Sequence, residues 1–196
     1  MQKLLDGLLP RLFPGLPFLC VPHEGKSDLE RSIPRKLRAW REPGVRFAVV
    51  RDNDGGDCRA RKDALRGLCE AASRPDTLVR LACQALEAWY LGEPDAIAEA
   101  FGRQSVRNPG RRARFRDPDA VARPHEVLER HVPEFQKVSG ARRLAQHLTR
   151  ERNRSTSFRI FLVGIEAVAG ALATGQDEDD RWGDHGRKRR NEGAWR

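Results

Sequence analysis

The sequence lacks any long apolar run and any signal peptide. Its first apolar segment, Leu4 to Phe13, is interrupted by Asp6, Gly7 and Pro10. About 20 consecutive apolar residues are needed to cross a bilayer, so this segment is too short and too broken to do so. The absence of both features predicts a protein of the cytoplasm that does not span a membrane.

Cysteine and histidine are few, and neither occurs in a metal-binding pattern. The four cysteines (Cys20, Cys58, Cys69 and Cys83) form no C-x-x-C pair and lie among apolar residues. The five histidines lack cysteine partners at the spacing of a zinc site. The sequence therefore predicts neither a zinc domain nor a disulfide framework, and it favours a reducing compartment.

Two common catalytic motifs are also missing. No G-x-x-x-x-G-K-[ST] phosphate loop is present, since Gly25-Lys26-Ser27 matches only the end of that motif. No G-x-S-x-G nucleophile elbow is present either. An acidic cluster beside arginine-rich segments is what remains to carry chemistry.

Arginine dominates the charge of the chain. The 196 residues carry a net charge of +9, and 33% of them are charged. Gly102 to Arg116 holds six arginines and no acid. Such a basic run predicts contact with a phosphate backbone, carried here by Arg111, Arg112 and Arg114. The alternative is a solvated loop in an arginine-rich protein, and composition does not decide between the two.

The order of apolar segments predicts an α/β fold. Three apolar runs alternate with helical patterns, which is typical of a Rossmann-like parallel sheet flanked by helices. The predicted strands cover residues 17–21, 46–51 and 77–82. We predict an α/β core over residues 1–101, a helical C-terminal part over 102–174 whose last helix ends at Thr174, and a disordered tail over 175–196.

Carboxylates follow the central predicted strand. Asp52 and Asp54 come directly after its apolar residues, and Gly55 follows. Ligands of open α/β sheets bind where the strands end, and a D-x-D there suits a Mg²⁺ or Mn²⁺ ion. The alternative is an ordinary polar turn. The same edge is predicted to gather four further residues: His23, Glu24, Lys26 and Glu87.

Six motifs together resemble the bacterial domain-of-unknown-function family 4276, over about residues 1–172. They are His23–Asp28, Ser32–Leu37, Arg51–Asp54 with Asp57-Cys58, Leu86–Leu91, Phe135–Lys137 with Ser139-Gly140, and Asn153–Phe158. The family looks similar to Toprim domains, the metal-binding fold of topoisomerases, primases and OLD-type nucleases. Its members often accompany ATPase partners, which implies a role in mobile elements or phage defence.

The resemblance implies roles for particular residues. Asp52 and Asp54 match the Toprim D-x-D, and Glu87 corresponds more loosely to a further site acid. In Toprim domains the principal glutamate follows a first strand. This chain opens with a helix and has no counterpart of that strand, so we expect the strand and its glutamate to lie upstream of Met1. In the alternative, Glu24 is that glutamate in a shortened fold.

Three hypotheses follow. The first is a Mg²⁺-dependent, Toprim-like nuclease or nuclease subunit in which Asp52, Asp54, Glu24 and Glu87 are catalytic. In this hypothesis His23 and Lys26 contact phosphate. The second is a non-catalytic adaptor of an ATPase system, and the third is a truncated, inactive family member. The sequence does not predict an oligomeric state.

Overall fold

The protein is a mixed α/β structure with a small parallel sheet flanked by helices. The computed structural model describes residues 1–107 and 115–188, with side chains up to Leu172. The strands are β1 (Ala48–Asp52) and β2 (Leu78–Ala82). The helices are α1 (Gln2–Leu12), α2 (Lys26–Ala39), α3 (Cys58–Glu70), α4 (Glu87–Leu91), α5 (Pro94–Phe101), α6 (Pro124–His131), α7 (Lys137–Ala145) and α8 (Thr156–Lys188), with short 3₁₀ turns at Gln104–Arg107 and Pro118–Ala120.

The two strands are parallel and are joined by α3. Val49 pairs with Val79, and the last residue of β1, Asp52, pairs with the last residue of β2, Ala82. The Asp57 side chain caps α3 by accepting the amide of Arg59 at 2.8 Å, as helix-capping aspartates do. Both strands therefore end at the same level, and the chain turns sharply into α3 at that edge.

The prediction of a third strand over residues 17–21 is wrong. The segment forms no strand in the structure, and Phe18, Leu19 and Val21 are exposed. Pro17 and Pro22 bracket it, and proline has no amide to donate to a strand ladder. The prolines limit a paired strand here to the four residues between them, and these residues pair with neither β1 nor β2 despite their apolar composition.

Two apolar clusters lie on opposite faces of the sheet. A small cluster joins α2 and α3 to β1 and β2 through Ile33, Leu37, Leu65, Val49 and Val79. A larger cluster covers the other face, because successive strand residues alternate between faces. Its members come from α1, α4, α5, α6, α7 and α8, and Leu78 and Ala82 of β2 contribute to it or pack against it.

Helix α8 lies directly against β2. A Cβ atom at Gly164 would lie 2.7 Å from Arg80 Nη2 and 2.9 Å from Leu78 Cδ1, so a larger residue would have to displace the ends of these side chains. Phe161 of the same helix stacks on Trp89 of α4, with ring centroids 5.0 Å apart. Helix α8 therefore contacts both β2 and α4.

Helix α8 continues past Thr174, where we predicted its end, to Lys188. It thereby covers residues 175–188, the first part of the predicted disordered tail. Residues 189–196 lie outside the described part of the chain.

Candidate functional site

The loops that follow β1 and β2 contact each other at the carboxyl edge of the sheet. The Asn53 amide donates to the Ala82 carbonyl at 3.0 Å, and the Asp54 amide donates to the Gln84 carbonyl at 2.7 Å. Asp54 and Gln84 both have left-handed backbones, with φ of 55° and 63°. Such conformations are uncommon outside glycine and are frequent at ligand sites.

Asp52 is the most perturbed acid of this edge. Its Oδ1 atom is buried and has no hydrogen-bond partner among the described residues. Burial, with smaller contributions from the charges of Glu87 and Asp54, raises the pKa of Asp52 to about 6, although the N-terminal ammonium and the Leu86 amide act in the opposite direction. A carboxylate held in this way is destabilised when ionised, and a bound cation would relieve that cost.

Glu87 is the first residue of α4 and lies near Asp52, and three further side chains, His125, Glu129 and Tyr90, surround it. It is buried, and its carboxylate lies 3.5 Å from Nδ1 of His125, whose Nε2 lies 3.0 Å from Glu129. The Tyr90 hydroxyl is buried without a hydrogen-bond partner among the described residues. Burial raises the pKa of Tyr90 well above its usual value, with smaller contributions from Glu87 and Asp52. We call Asp52, Asp54 and Glu87 the acidic edge.

Asp54 differs from Asp52 because cations already contact it. Its carboxylate forms an ion pair with Lys26, the first residue of α2, and lies 3.8 Å from Nη2 of Arg51. The buried Arg51 guanidinium donates to Glu30 of α2 at 2.5 Å. The start of α2 is therefore joined to the loop after β1 by charge.

The structure brings some predicted site residues together and leaves others apart. Lys26 reaches Asp54, and Glu87 lies in the field of Asp52. His23 contacts Asp28 at 3.1 Å, within its own loop. Glu24 is exposed, and its backbone amide donates to the Asp28 carboxylate at 3.2 Å. Arg111, Arg112 and Arg114 lie outside the described residues.

The acidic edge fits a cation that takes few protein ligands. Within residues 1–107 and 115–172, no three His, Cys, Asp or Glu side chains lie close enough to enclose a metal ion. Mg²⁺ commonly takes one or two carboxylates and keeps several waters. The buried, unpartnered oxygens of Asp52 and Asn53 suit such an ion, whereas an ion that needs a full protein cage does not fit.

A second polar site lies beyond the other end of α4. Here a cavity of about 520 Å³ is lined by Arg116, Arg152, Arg154, Arg159, Asp95, Glu151 and Asn153. We call it the arginine cavity. Arg152 is neutralised by the buried Glu93 at 2.8 Å. In the described part of the chain, no ion pair involves the guanidinium of Arg116, Arg154 or Arg159, so the cavity has an excess of positive charge.

The loop that carries Arg152 and Arg154 is anchored to α4. The buried Asn153 side chain donates to the Trp89 carbonyl at 2.8 Å and accepts the Ser155 amide at 2.9 Å. A side chain at Gly92 would come within 2.3 Å of Asn153. The Arg154 amide also donates to the Gly92 carbonyl. These bonds fix the position of the cavity relative to α4.

The fold and the site together define the class: this is a small mixed α/β protein with carboxylates where its parallel strands end. The chain belongs to the family described as a domain of unknown function, DUF4276, whose model matches residues 1–166. No curated protein and no solved structure matches this chain. No helix in the described residues is both long and apolar enough to cross a membrane.

Sequence reasoning did not identify several residues of the acidic edge. Asn53 and Arg51 flank Asp52 and end with buried, unpartnered atoms, a state that spacing does not report. Tyr90 follows Glu87 by three residues, so a helical reading of the motif Leu86–Leu91 places both on one face of α4. No local sequence pattern points to His125, because it lies on α6, far from Glu87 in the sequence.

Proposed function

We propose that this chain is a cytoplasmic, Mg²⁺-dependent nuclease or nuclease subunit that acts on nucleic acid. The observation that carries the proposal is Asp52, a half-buried residue with one buried carboxylate oxygen that has no hydrogen-bond partner among the described residues, in the field of Glu87. Ionisable groups are rarely buried without a hydrogen-bond partner, and the exceptions concentrate at functional sites. A cation ligated by Asp52, with Asp54 or Glu87, would satisfy the buried oxygen.

The acids would hold the cation and the bases would hold the substrate. Bound Mg²⁺ polarises a phosphodiester and stabilises the leaving oxygen. Lys26 and Arg51 lie beside Asp54, where they would contact a phosphate that approaches the ion. His125 lies between Glu87 and Glu129 and is placed to hold a proton at Nδ1 or Nε2.

The arginine cavity supports nucleic acid as the substrate. One concave surface is lined by Arg116, Arg154 and Arg159, which have no ion pair within the described residues. The loop that carries Arg154 is hydrogen-bonded to α4, and Arg159 lies in α8. Guanidinium groups bind phosphate oxygens in a bidentate manner. Because α4 spans only five residues, or roughly 8 Å, a phosphate backbone of a few nucleotides is long enough to reach both sites.

The test is cleavage of labelled single- and double-stranded DNA and RNA by the metal-stripped chain, with Mg²⁺ or Mn²⁺ added back. We expect cation-dependent cleavage that falls at least about 100-fold in Asp52→Ala, as is typical when a charge-stabilising group is lost. Asp63→Ala is the matched control, because Asp63 is an exposed acid on α3 whose partner is Arg66. Equal cleavage by both variants would refute the assignment.

A non-catalytic adaptor is the second candidate, and one observation favours it. Lys26 already neutralises Asp54, and the described residues offer no third ligand for a metal cage. In this case the chain serves an ATPase partner through its arginine-rich surfaces. Binding to that partner would then survive Asp52→Ala with Asp54→Ala, and would be lost when Arg154 and Arg159 are replaced.

A further inference from the structure

Two cysteines meet at the edge of the sheet, next to the acidic loop. Cys58 is the first residue of α3 and is exposed, whereas Cys83 follows β2 and is half-buried. Their Sγ atoms are 3.5 Å apart although the residues are 25 positions apart in sequence. A disulfide has an S–S bond of about 2.05 Å, so the sulfurs need to approach by only about 1.5 Å.

Separate hydrogen bonds hold each cysteine in place. Asp57 caps the helix that begins with Cys58, by accepting the Arg59 and Ala60 amides. The Cys83 amide donates to Ser157 Oγ of α8 at 3.3 Å. The proximity of the sulfurs is therefore a property of the fold around them rather than of one flexible loop.

The other two cysteines have different surroundings. Cys69 is buried in the small apolar cluster, and Cys20 is half-buried, where burial and then Asp6 raise its pKa to about 11. Burial also raises the pKa of the Cys83 thiol, and Cys58 adds to the effect. Exposure therefore marks Cys58 as the thiol that an oxidant meets first, with Cys83 as its neighbour.

We propose that Cys58 and Cys83 are a redox modification site, and that hydroperoxide converts them to an intramolecular disulfide. The Cys58 thiolate attacks one peroxide oxygen, which forms a sulfenic acid and releases hydroxide. The Cys83 thiol attacks the sulfenic sulfur, forms the S–S bond and releases water. The two thiols lose two electrons and two protons, and hydrogen peroxide is reduced to two waters.

The disulfide joins the start of α3 to the end of β2. The loop Asn53–Asp57 lies between β1 and Cys58, so both of its ends would then be attached to the sheet. Cross-linking removes open conformations of a chain segment. Amides of this loop are expected to exchange with solvent more slowly in the oxidised protein.

The experiment oxidises the reduced full chain with equimolar hydrogen peroxide, alkylates the remaining thiols and locates the bridge by peptide mass spectrometry. We expect two of the four cysteines to become resistant to alkylation. A Cys58–Cys83 peptide pair is expected, and dithiothreitol is expected to reverse it. Hydrogen exchange of residues 53–56, before and after oxidation, measures the restraint on the loop.

Single variants provide the controls. Cys58→Ser and Cys83→Ser should each abolish the bridge, whereas Cys20→Ser and Cys69→Ala should retain it. Recovery of Cys58 as a sulfinic acid, or bonded to Cys58 of a second chain while Cys83 stays alkylatable, would overturn the proposal. Because the readout is the bridge itself in wild-type protein, its failure is independent of whether the chain is a nuclease.

Discussion

The two ends of α4 lie in surroundings of opposite charge. Glu87 begins the helix in the acidic edge, where one oxygen of Asp52 has no hydrogen-bond partner among the described residues and the charges of Glu87 and Asp54 oppose its ionisation. Just past its end, Gly92 contacts the loop that carries Arg154, which lines the arginine cavity together with Arg159 of α8. The acidic edge is destabilised by like charges, whereas the loop at the cavity is fixed by satisfied hydrogen bonds. The comparison indicates that the first site needs a ligand for its stability and the second does not.

Cation binding should separate the two sites most strongly. We expect Asp52→Ala to lower the affinity for Mn²⁺ at least about 100-fold, since even indirect metal contacts contribute 10–100-fold. Arg154→Ala with Arg159→Ala should leave that affinity unchanged. Isothermal titration with Mn²⁺ measures both. Unchanged binding in Asp52→Ala would show that the acidic edge is not the cation site.

The Asn153 hydrogen bonds, which anchor the loop before α8 to α4, should have the next largest effect, here on the free energy of unfolding. Asn153→Ala removes two buried hydrogen bonds and leaves the Trp89 carbonyl unpaired, which should cost about 2–3 kcal/mol of unfolding free energy. Urea unfolding monitored by circular dichroism measures it. The control is Thr156→Ala, an exposed position at the start of α8, with an expected change under about 0.5 kcal/mol. Equal losses in the two variants would contradict the anchor.

The acidic edge should make stability depend on pH. The pKa of Asp52 is about 6 in the folded protein and lies near 3.8 when unperturbed, so folding favours its protonated form. This contribution is complete below pH 4 and is lost as pH rises through 6. Asp52→Asn should therefore stabilise the protein by about 2 kcal/mol at pH 8 and by little at pH 4. A gain that is equal at both values would contradict the raised pKa.

Nucleic-acid affinity should show the smallest of the four effects. In EDTA, Arg154→Ala with Arg159→Ala should weaken binding to a labelled oligonucleotide about tenfold and lower the salt slope by about 2. Fluorescence anisotropy at several salt concentrations gives both values. Arg35→Ala with Arg142→Ala removes the same charge from exposed positions on α2 and α7. If this control weakens binding equally, the cavity contributes only net charge.

Local patterns predicted much of the fold. Both paired strands, predicted over residues 46–51 and 77–82, follow from apolar spacing and lie at Ala48–Asp52 and Leu78–Ala82. The parallel rule also placed Glu87 at the same edge as Asp52. The strand predicted over residues 17–21 is wrong, because apolar composition by itself does not supply a pairing partner, and the segment pairs with neither β1 nor β2.

The environments within the site were not predictable from spacing. Whether a carboxylate is paired depends on residues far away in sequence, as when Lys26 contacts Asp54 while Asp52 keeps an open oxygen. The two carboxylates look alike in the D-x-D motif, yet their partners differ. Only the packing of α2 and α4 against the strand ends distinguishes them.

One hydroxyl group has a consequence for which substitutions this fold accepts. Ser157 Oγ accepts from the Trp89 indole at 2.8 Å and from the Cys83 amide at 3.3 Å, and it donates to Asp119 at 2.9 Å. A hydroxyl has one proton and two lone pairs, so all of its bonding capacity is used. Among the genetically encoded side chains only threonine offers the same set at the same distance from the backbone. The position is therefore restricted by valence rather than by volume.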